Sequence, residues 1–361
     1  MMRTVDYSAL GSPVSKQDVV AYRAELARAK PNTGLGNWVA VAVVVSVLIL
    51  FGMSFLFIIV PVLLSFSQSS SGAGAGVAGL LMLLLLVLFF GALVTGVVLF
   101  VRHAGIKRFE RYVRLDRFAK ANGLIFSPVD ANPAYPGAIF NNGDSRAAYE
   151  HFRSASGRFL DFGNYRYTTG SGKNRSTHTW GFMALQLDRS LPHMVLDSRS
   201  NNTLFGMSNL PATFSKDQVL SLEGDFNNYF TLYCPKEYER DALYVFTPDL
   251  MARCIDHAAP FDIEIVDQWM FVYSAMPFDM SHGAIYERLF GIVDTVGAKT
   301  LTQTDRYSDE RVANFTANVV APQGARLKRG VSGVAIVIGV LVLGFWIVPQ
   351  VVGFVLAMSG R

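Results

Sequence analysis

Three stretches of this sequence lack charge altogether. Residues 37–66, 77–101 and 331–360 contain no Asp, Glu, Lys, Arg or His. Each is longer than the ~20 residues that a helix needs to cross a bilayer core. Charged residues make up 17% of the chain, against the ~25% usual for soluble domains, and the deficit lies in these stretches. The sequence therefore predicts a membrane protein.

The uncharged stretches also lack the ionisable residues that ion and proton pathways use inside a bilayer. This absence argues against a transport function. Ala335 and Gly339 have the small-xxx-small spacing that lets helices pack closely, but this spacing arises often by chance. Packing within one chain is favoured over dimerisation, and a homo-oligomer is not predicted.

The predicted organisation has three transmembrane helices. The segments are: a cytosolic N-terminal segment, 1–37, with a short amphipathic helix over 16–30; a transmembrane hairpin, 38–101, with spans at about 38–66 and 77–101; a basic juxtamembrane helix, 102–122; a cytosolic α+β domain, 123–325; and a basic flank with a third span, 326–361, the span covering about 331–358. The soluble α+β domain thus lies between the second and third predicted spans in the sequence.

Orientation is predicted from the basic residues beside these spans. Lys and Arg precede the first span, follow the second at seven positions between Arg102 and Lys120, and precede the third, whereas the loop over 67–76 has none. Cytoplasmic flanks of spans carry such an excess of Lys and Arg. The pattern predicts that the N-terminus and the soluble domain lie in the cytoplasm and the C-terminus outside.

The net charge of +4 hides a segregation. Residues 123–325 hold sixteen basic and twenty-three acidic residues, so this segment is acidic and the membrane flanks are basic. A basic protein that binds nucleic acid carries its charge on the binding domain, so no nucleic-acid partner is predicted. The chain has only two cysteines, Cys234 and Cys254, which is typical of a reducing compartment rather than a disulfide framework.

Short strand-like segments fill the first part of residues 123–325, and helical patterns follow. Strand-like segments include Ala138–Phe140, 179–187 and 193–196; Phe261–Tyr273 resembles a hairpin, and Ala284–Gly297 has the spacing of a helix. Strands followed by helices, without βαβ alternation, indicate an α+β domain on a mainly antiparallel sheet. A single open sheet and a rolled half barrel both remain consistent with this pattern.

Nucleotide and metal motifs are absent or incomplete. Gly170-Ser171-Gly172-Lys173 lacks the earlier glycine and the following Ser or Thr of a phosphate-binding loop, so it is interpreted as a hairpin turn. Cys254 and His257 lie three residues apart, but no second pair at ligand spacing accompanies them. Neither a cofactor nor a metal site is predicted.

Four residues are the candidates for acid–base chemistry. Glu223 and Asp225 could form a carboxylate pair, and His193 and Asp197 alternate with apolar residues in the segment around 193–197. The alternative interpretation is structural, because apolar residues alternate with these polar ones as on a sheet face. Two hypotheses follow: a non-enzymatic interaction or scaffold module at the membrane, which is favoured, and a membrane-tethered hydrolase or lipid-handling enzyme.

The basic helix suggests a lipid interface. Arg108, Arg111, Arg114 and Arg117 recur within three turns directly after the second uncharged stretch. A basic residue beside an anionic leaflet contributes about 1 kcal/mol. Anionic inner-leaflet lipids are therefore expected partners, and a protein partner at the same membrane is a further hypothesis.

Several phrases resemble an uncharacterised family of bacterial membrane proteins in which a cytosolic α+β domain follows a transmembrane hairpin. They are Phe118–Leu124, Tyr135–Phe140, Leu191–Asp197, Ser221–Phe226 and Tyr244–Met251. The resemblance spans most of 104–325. It implies a bacterial inner-membrane protein and brings no activity, cofactor or catalytic residue with it.

Overall fold

The computed structural model describes residues 5–29, 45–55, 57–61, 65, 73–202, 208–313, 317–330, 342–343 and 345–350. The chain divides into two compact units. One comprises Gly11–Leu115, and the other comprises Met1–Leu10 together with Asp116–Arg361.

The first helix of the Gly11–Leu115 unit is α1, Lys16–Ala29. The Ser15 hydroxyl accepts a hydrogen bond from the Asp18 backbone N–H at 3.1 Å, and the Asp18 carboxylate accepts one from the Ser15 N–H at 2.8 Å. This reciprocal capping satisfies donors that a helix start otherwise leaves open. Val19 is buried, and the Arg23 guanidinium lies 4.8 Å from the centre of the Phe109 ring.

Helix α2, Ala73–Ala121, is 49 residues long. Its uncharged part continues to Val101, and basic residues begin at Arg102. At 1.5 Å per residue, 77–101 alone would rise roughly 38 Å, which exceeds the ~30 Å hydrocarbon core of a bilayer. None of the most apolar window of Leu84–Ala121 is buried. Since long apolar helices of soluble proteins bury their surface, α2 associates the protein with a membrane.

The prediction of three transmembrane helices is wrong. Among the described residues, α2 alone is long and apolar enough to cross a membrane, and the N-terminal hairpin is not seen. The first predicted span is a shorter apolar helix, Val45–Pro61, and Pro61 stands at its end, where a missing N–H interrupts helical bonding. Most of the third predicted span, 331–358, lies outside the described residues. An uncharged run shows compatibility with lipid, but it does not fix how far a helix extends.

A seven-stranded antiparallel sheet forms the second unit, as the α+β prediction expected. The strands are β1 Leu124–Ala131, β2 Asp144–Ser154, β3 Leu160–Thr169, β4 Ser176–Ser198, β5 Val219–Leu220, β6 Phe230–Tyr233 and β7 Asp262–Ser274. Their order is β1-β2-β3-β4-β6-β5, and β7 also pairs with β4.

Strand β4 is 23 residues long and joins the two halves of the sheet. It pairs with β3 through residues 176–185, with β6 through 195–198 and with β7 through 181–196. Register shifts between Gln186 and Leu191, and between Leu191 and Met194, interrupt its pairing with β7. Such irregularities bend a strand, so the two predicted segments 179–187 and 193–196 are one bent strand.

Two further sequence predictions need correction. Phe261–Tyr273 forms one strand rather than a hairpin, because Asp267 takes a positive φ of 53° at a bulge instead of turning the chain back. Ala138–Phe140 is a turn rather than a strand. Its apolar residues are buried because the turn covers one face of the sheet.

Phe140 fills the centre of that face. Its ring centre lies 4.7 Å from that of Tyr165, 5.0 Å from that of Tyr135 and 5.4 Å from that of Phe182. The aromatic core around it also holds Trp180, Phe214, Phe271 and Tyr273. Aromatic pairs at such distances add stabilisation beyond the area that they bury.

The described part of the sheet unit also contains six α-helices, of which Gly283–Ile292 packs against Phe152 and Phe162 of the sheet. They are α3 Phe226–Tyr229, α4 Glu239–Val245, α5 Pro248–Arg253, α6 Gly283–Ile292, α7 Ala298–Thr304 and α8 Pro322–Ala325. Phe118, in the last turns of α2, lies 4.3 Å from Tyr286 of α6 and 5.9 Å from Phe152 of β2, ring centre to ring centre. Phe118 thus belongs to the core of the sheet unit.

Replacement of Phe140 by alanine tests the turn that covers the sheet. Because Phe140 is 1% exposed and its partners are fixed by the sheet, we expect Phe140→Ala to lower the free energy of unfolding by roughly 3–5 kcal/mol. Met276→Ala, at a 73% exposed position, should change it by less than about 0.5 kcal/mol. Denaturant unfolding of the detergent-solubilised protein measures both; equal effects would show that the turn does not pack on the sheet.

Candidate functional site

His193 lies on β4 beside Glu264 of β7. The His193 Nε2 atom is 2.8 Å from Glu264 Oε1, and its Nδ1 atom accepts a hydrogen bond from the Leu327 N–H at 3.0 Å. With Nδ1 acting as acceptor, Nε2 carries the proton and donates to the carboxylate. Both ring nitrogens are therefore engaged within the fold.

Glu264 is itself bonded on its second oxygen. Its Oε2 atom accepts hydrogen bonds from the Ala138 N–H at 2.7 Å and from the Tyr273 hydroxyl at 2.6 Å. Glu264 is 1% exposed. Burial, together with the charge of Glu264, raises the pKa of Tyr273 well above its usual range. Glu264 therefore holds the turn Ala138–Phe140 against β7, and the raised pKa keeps Tyr273 protonated.

Glu223 and Asp225 are exposed in a turn around Gly224, where φ is +70°. His193 and Asp197 are buried. Because one pair is exposed and the other is buried, the four candidates do not form one buried site. Asp197 accepts a hydrogen bond from the Ser208 hydroxyl at 2.9 Å, and burial raises its pKa to about 6.

A larger buried cluster joins β1, β2 and β3, and sequence reasoning missed it. His151 Nδ1 is 2.7 Å from Asp161 Oδ1, and His151 Nε2 is 3.1 Å from Asp130 Oδ2. Arg153 bonds both carboxylates, through Nε to Asp161 at 3.0 Å and through a terminal nitrogen to Asp130 at 3.1 Å. The Tyr135 hydroxyl donates to Asp161 at 2.5 Å. The alternating sequence around these residues signals sheet structure but not which polar pairs meet.

The geometry of His151 requires a charged ring. A carboxylate oxygen faces each nitrogen, and both nitrogens donate only in the imidazolium form. Burial alone would lower the pKa of His151, but hydrogen bonds to Asp130 and Asp161 outweigh it, so the pKa is raised. A histidine that holds its proton between two carboxylates is unsuited to act as a general base, so the cluster stabilises the fold.

The two cysteines offer no thiolate. Cys234 and Cys254 are free and buried, and burial raises the pKa of each thiol to about 12. A nucleophilic cysteine needs the opposite shift. Among the described residues, no group of three or more His, Cys, Asp or Glu side chains is placed to hold a metal ion.

The predicted lipid-facing arginines differ in exposure. Arg108 is exposed, whereas Arg111, Arg114 and Arg117 are half-buried. Arg114 Nε donates to the Ser12 carbonyl at 3.0 Å, so this side chain holds the segment before α1. Arg102 and Lys107 are exposed next to Arg108. The exposed basic charge therefore lies nearer the apolar part of α2 than the four predicted positions suggest.

Comparisons with known proteins leave the family open. No protein-family model matches the sequence, and no curated protein matches it. Among solved structures, the mycobacterial trehalose monomycolate transport factor A, TtfA, is similar at 12% sequence identity and a TM-score of 0.34. The likeness covers 53% of this chain and 90% of the TtfA chain.

The raised pKa of His151 predicts a pH-dependent stability. The folded protein retains a proton that the unfolded chain releases above about pH 6.5, so the contribution of His151 is complete below that pH. As the pH rises from there through the raised pKa, the contribution is lost at about 1.4 kcal/mol per unit. His151→Asn should remove this loss, whereas His257→Asn, at an exposed position, should keep it. Unfolding titrations from pH 6 to 9 compare the slopes; identical slopes in both variants would contradict the assignment.

Proposed function

We propose that this chain is a membrane-anchored interaction module of the bacterial inner membrane, with its sheet unit on the cytosolic side. The observation that carries the proposal is the sequence of features along α2. An uncharged helical stretch whose most apolar window has no buried residue leads to the exposed basic residues Arg102, Lys107 and Arg108. Basic residues of this kind stay on the cytosolic side of a span.

An interaction role is favoured over catalysis by the state of the candidate residues. His193 is held between Glu264 and a backbone N–H, whereas Glu223 and Asp225 are solvated in a turn. Acid–base catalysis needs its groups within reach of one reacting atom. Exposed apolar side chains on α4, Leu243 at 52% and Tyr244 at 42%, instead offer contact area of the kind that partners bury.

Anionic lipids are the second partner in this proposal. Three exposed basic residues beside the apolar part of α2 would contribute about 1 kcal/mol each at an anionic leaflet. This attraction places the basic turns at the headgroups. It would weaken with salt, since exposed charges are screened within about 10 Å at 0.1 M ionic strength.

Cysteine labelling tests the orientation. Met276 is 73% exposed, and both native cysteines are buried, so Met276→Cys supplies one reactive thiol. A membrane-impermeant maleimide should leave this variant unlabelled in intact cells and label it after lysis. In the same variant, reversing Arg102, Lys107 and Arg108 to Glu should increase labelling in intact cells. Full labelling before lysis without the reversal would place the sheet unit outside and refute the orientation.

Site-specific photo-crosslinking tests the interaction role. A photoreactive amino acid at Leu243 or Tyr244 should give, in native membranes, one reproducible adduct of defined mass. The same group at Lys173, an exposed residue of the hairpin turn between β3 and β4, is the control and should not give that adduct. Absence of adducts from α4, or the same adducts from Lys173, would count against a specific partner on this surface.

A further inference from the structure

The ends of β4 and β7 bring two buried carboxylates together. Asp197 lies one residue before the end of β4, and Asp262 is the first residue of β7. Burial, together with the charge of Asp197, raises the pKa of Asp262, and the two residues are 3% and 0% exposed. The Ser198 N–H donates to Asp262 Oδ1 at 2.8 Å. This corner of the sheet therefore concentrates negative charge away from solvent.

Four more oxygen atoms in the same corner are buried with no hydrogen-bond donor among the described residues. They are Asp262 Oδ2 and the side-chain oxygens of Asn201, Asn202 and Asn209. Every one of these atoms is an acceptor. A buried acceptor without a partner costs about 1–3 kcal/mol, and more when it is charged, so four in one corner require an explanation.

Hydrogen bonds connect these residues into one group. The Asn201 amide nitrogen donates to the Pro260 carbonyl at 2.8 Å, and the Asn209 amide nitrogen donates to the Asn201 backbone carbonyl at 3.3 Å. The Asn202 side chain lowers the pKa of Asp197, and the Asn201 side chain lowers that of Asp262, but burial outweighs both effects. Because the nitrogens of Asn201 and Asn209 are already committed, the orientation of their side-chain oxygens is fixed.

The positive charge of Arg199 does not offset the two buried carboxylates. Arg199 lowers the pKa of Asp197, but burial outweighs it and raises that pKa to about 6, and burial raises the pKa of Asp262 to about 7. In the His151 cluster, by contrast, Arg153 and the imidazolium balance Asp130 and Asp161. The Asp197–Asp262 corner has acceptors and charge of the kind that a cation neutralises.

We propose that Asp197, Asp262 and the side-chain oxygens of Asn201, Asn202 and Asn209 bind a hard divalent cation, Ca²⁺ or Mg²⁺. Carboxylate and amide oxygens are the ligands that such cations take, and the group contains no sulfur or imidazole ligand that would favour zinc. Ca²⁺ accepts six to eight oxygens in flexible arrangements, whereas Mg²⁺ retains several waters. The number of protein oxygens in this corner favours Ca²⁺.

Cation-dependent melting of the full chain in a nonionic detergent tests the site. After removal of divalent ions with a chelator, CaCl₂ or MgCl₂ is added and unfolding is followed by tryptophan fluorescence. At a cation concentration about 100 times the Kd, the melting temperature should rise by about 5–10 °C. A larger rise at lower concentration for Ca²⁺ than for Mg²⁺ is expected.

Asp262→Asn separates cation binding from a structural role. Asparagine keeps an oxygen for the Ser198 N–H but removes the charge, so the cation-free variant should melt at or above the wild-type temperature and lose the cation-dependent rise. Asp294→Asn, at an exposed position, should retain the full rise. If Asp262→Asn does not fold, Asn202→Ser removes one proposed ligand and should shift the Ca²⁺ titration to higher concentration.

Two outcomes would overturn the proposal. The first is no rise with either cation at pH 8, which lies above the pKa of both carboxylates; the corner would then be stable without a metal ion. The second is a rise that persists unchanged in Asp262→Asn, which would assign the effect to cations bound elsewhere on the protein or its detergent micelle.

Discussion

The bent strand β4 is the constraint on which the rest of the sheet unit depends. A straight strand of its length would extend about 75 Å at roughly 3.3 Å per residue, which is longer than a domain of this size. Along one edge, β4 pairs with β3 before the register shifts near Leu191 and with β6 after them. Along its other edge, β4 pairs with β7 on both sides of these shifts. The two halves of the sheet therefore share one backbone, and groups at either end of β4 are held by the same element.

Charge is buried along this sheet in two different ways. In the β1–β3 part, His151, Arg153 and two aspartates form a balanced network in which each carboxylate accepts several hydrogen bonds. Removing one partner from such a network would leave an uncompensated buried charge. At the far end of β4, the aspartates have neutral donors and unsatisfied amide oxygens around them. The charges of the His151 network are balanced by residues of the protein itself. In the proposal, a cation balances the charges of the Asp197–Asp262 corner.

The class of the sheet unit could be predicted from the sequence, and its long-range pairings could not. Alternation in segments such as 179–187 marks a strand because it reflects burial on one face, a local property. Whether 179–187 and 193–196 are separate strands depends on bulges, and the polar residues near Asp267 resemble a turn equally well. Charge-free composition likewise identified α2 as a membrane helix but overestimated the number of spans, because composition does not determine where a helix ends.

Site residues were harder to predict for the same reason. His193 stands out in sequence, yet its partners Glu264 and Leu327 lie 71 and 134 residues away. His151 and Asp262 carry no local signal, since a polar residue within a strand is most often at the solvent face. Only the fold shows that both are buried, and only their contacts distinguish a balanced network from an open set of acceptors.

The hydrogen bond that Asp262 accepts does not by itself account for its charge. The last β4–β7 pair is Leu196 with Ile263, so the Ser198 N–H lies beyond the ladder and needs another acceptor, because buried backbone donors are almost always paired. An asparagine oxygen would satisfy that donor equally well, without burying a charge. The Asn201 side chain also bonds Asp262, but burial outweighs both bonds and raises the pKa of Asp262 to about 7, so a proton or a cation is needed to offset the charge. The amide oxygens of Asn201, Asn202 and Asn209 cannot donate to a carboxylate, but they can share a cation with it, and this makes the cation the better explanation of the corner.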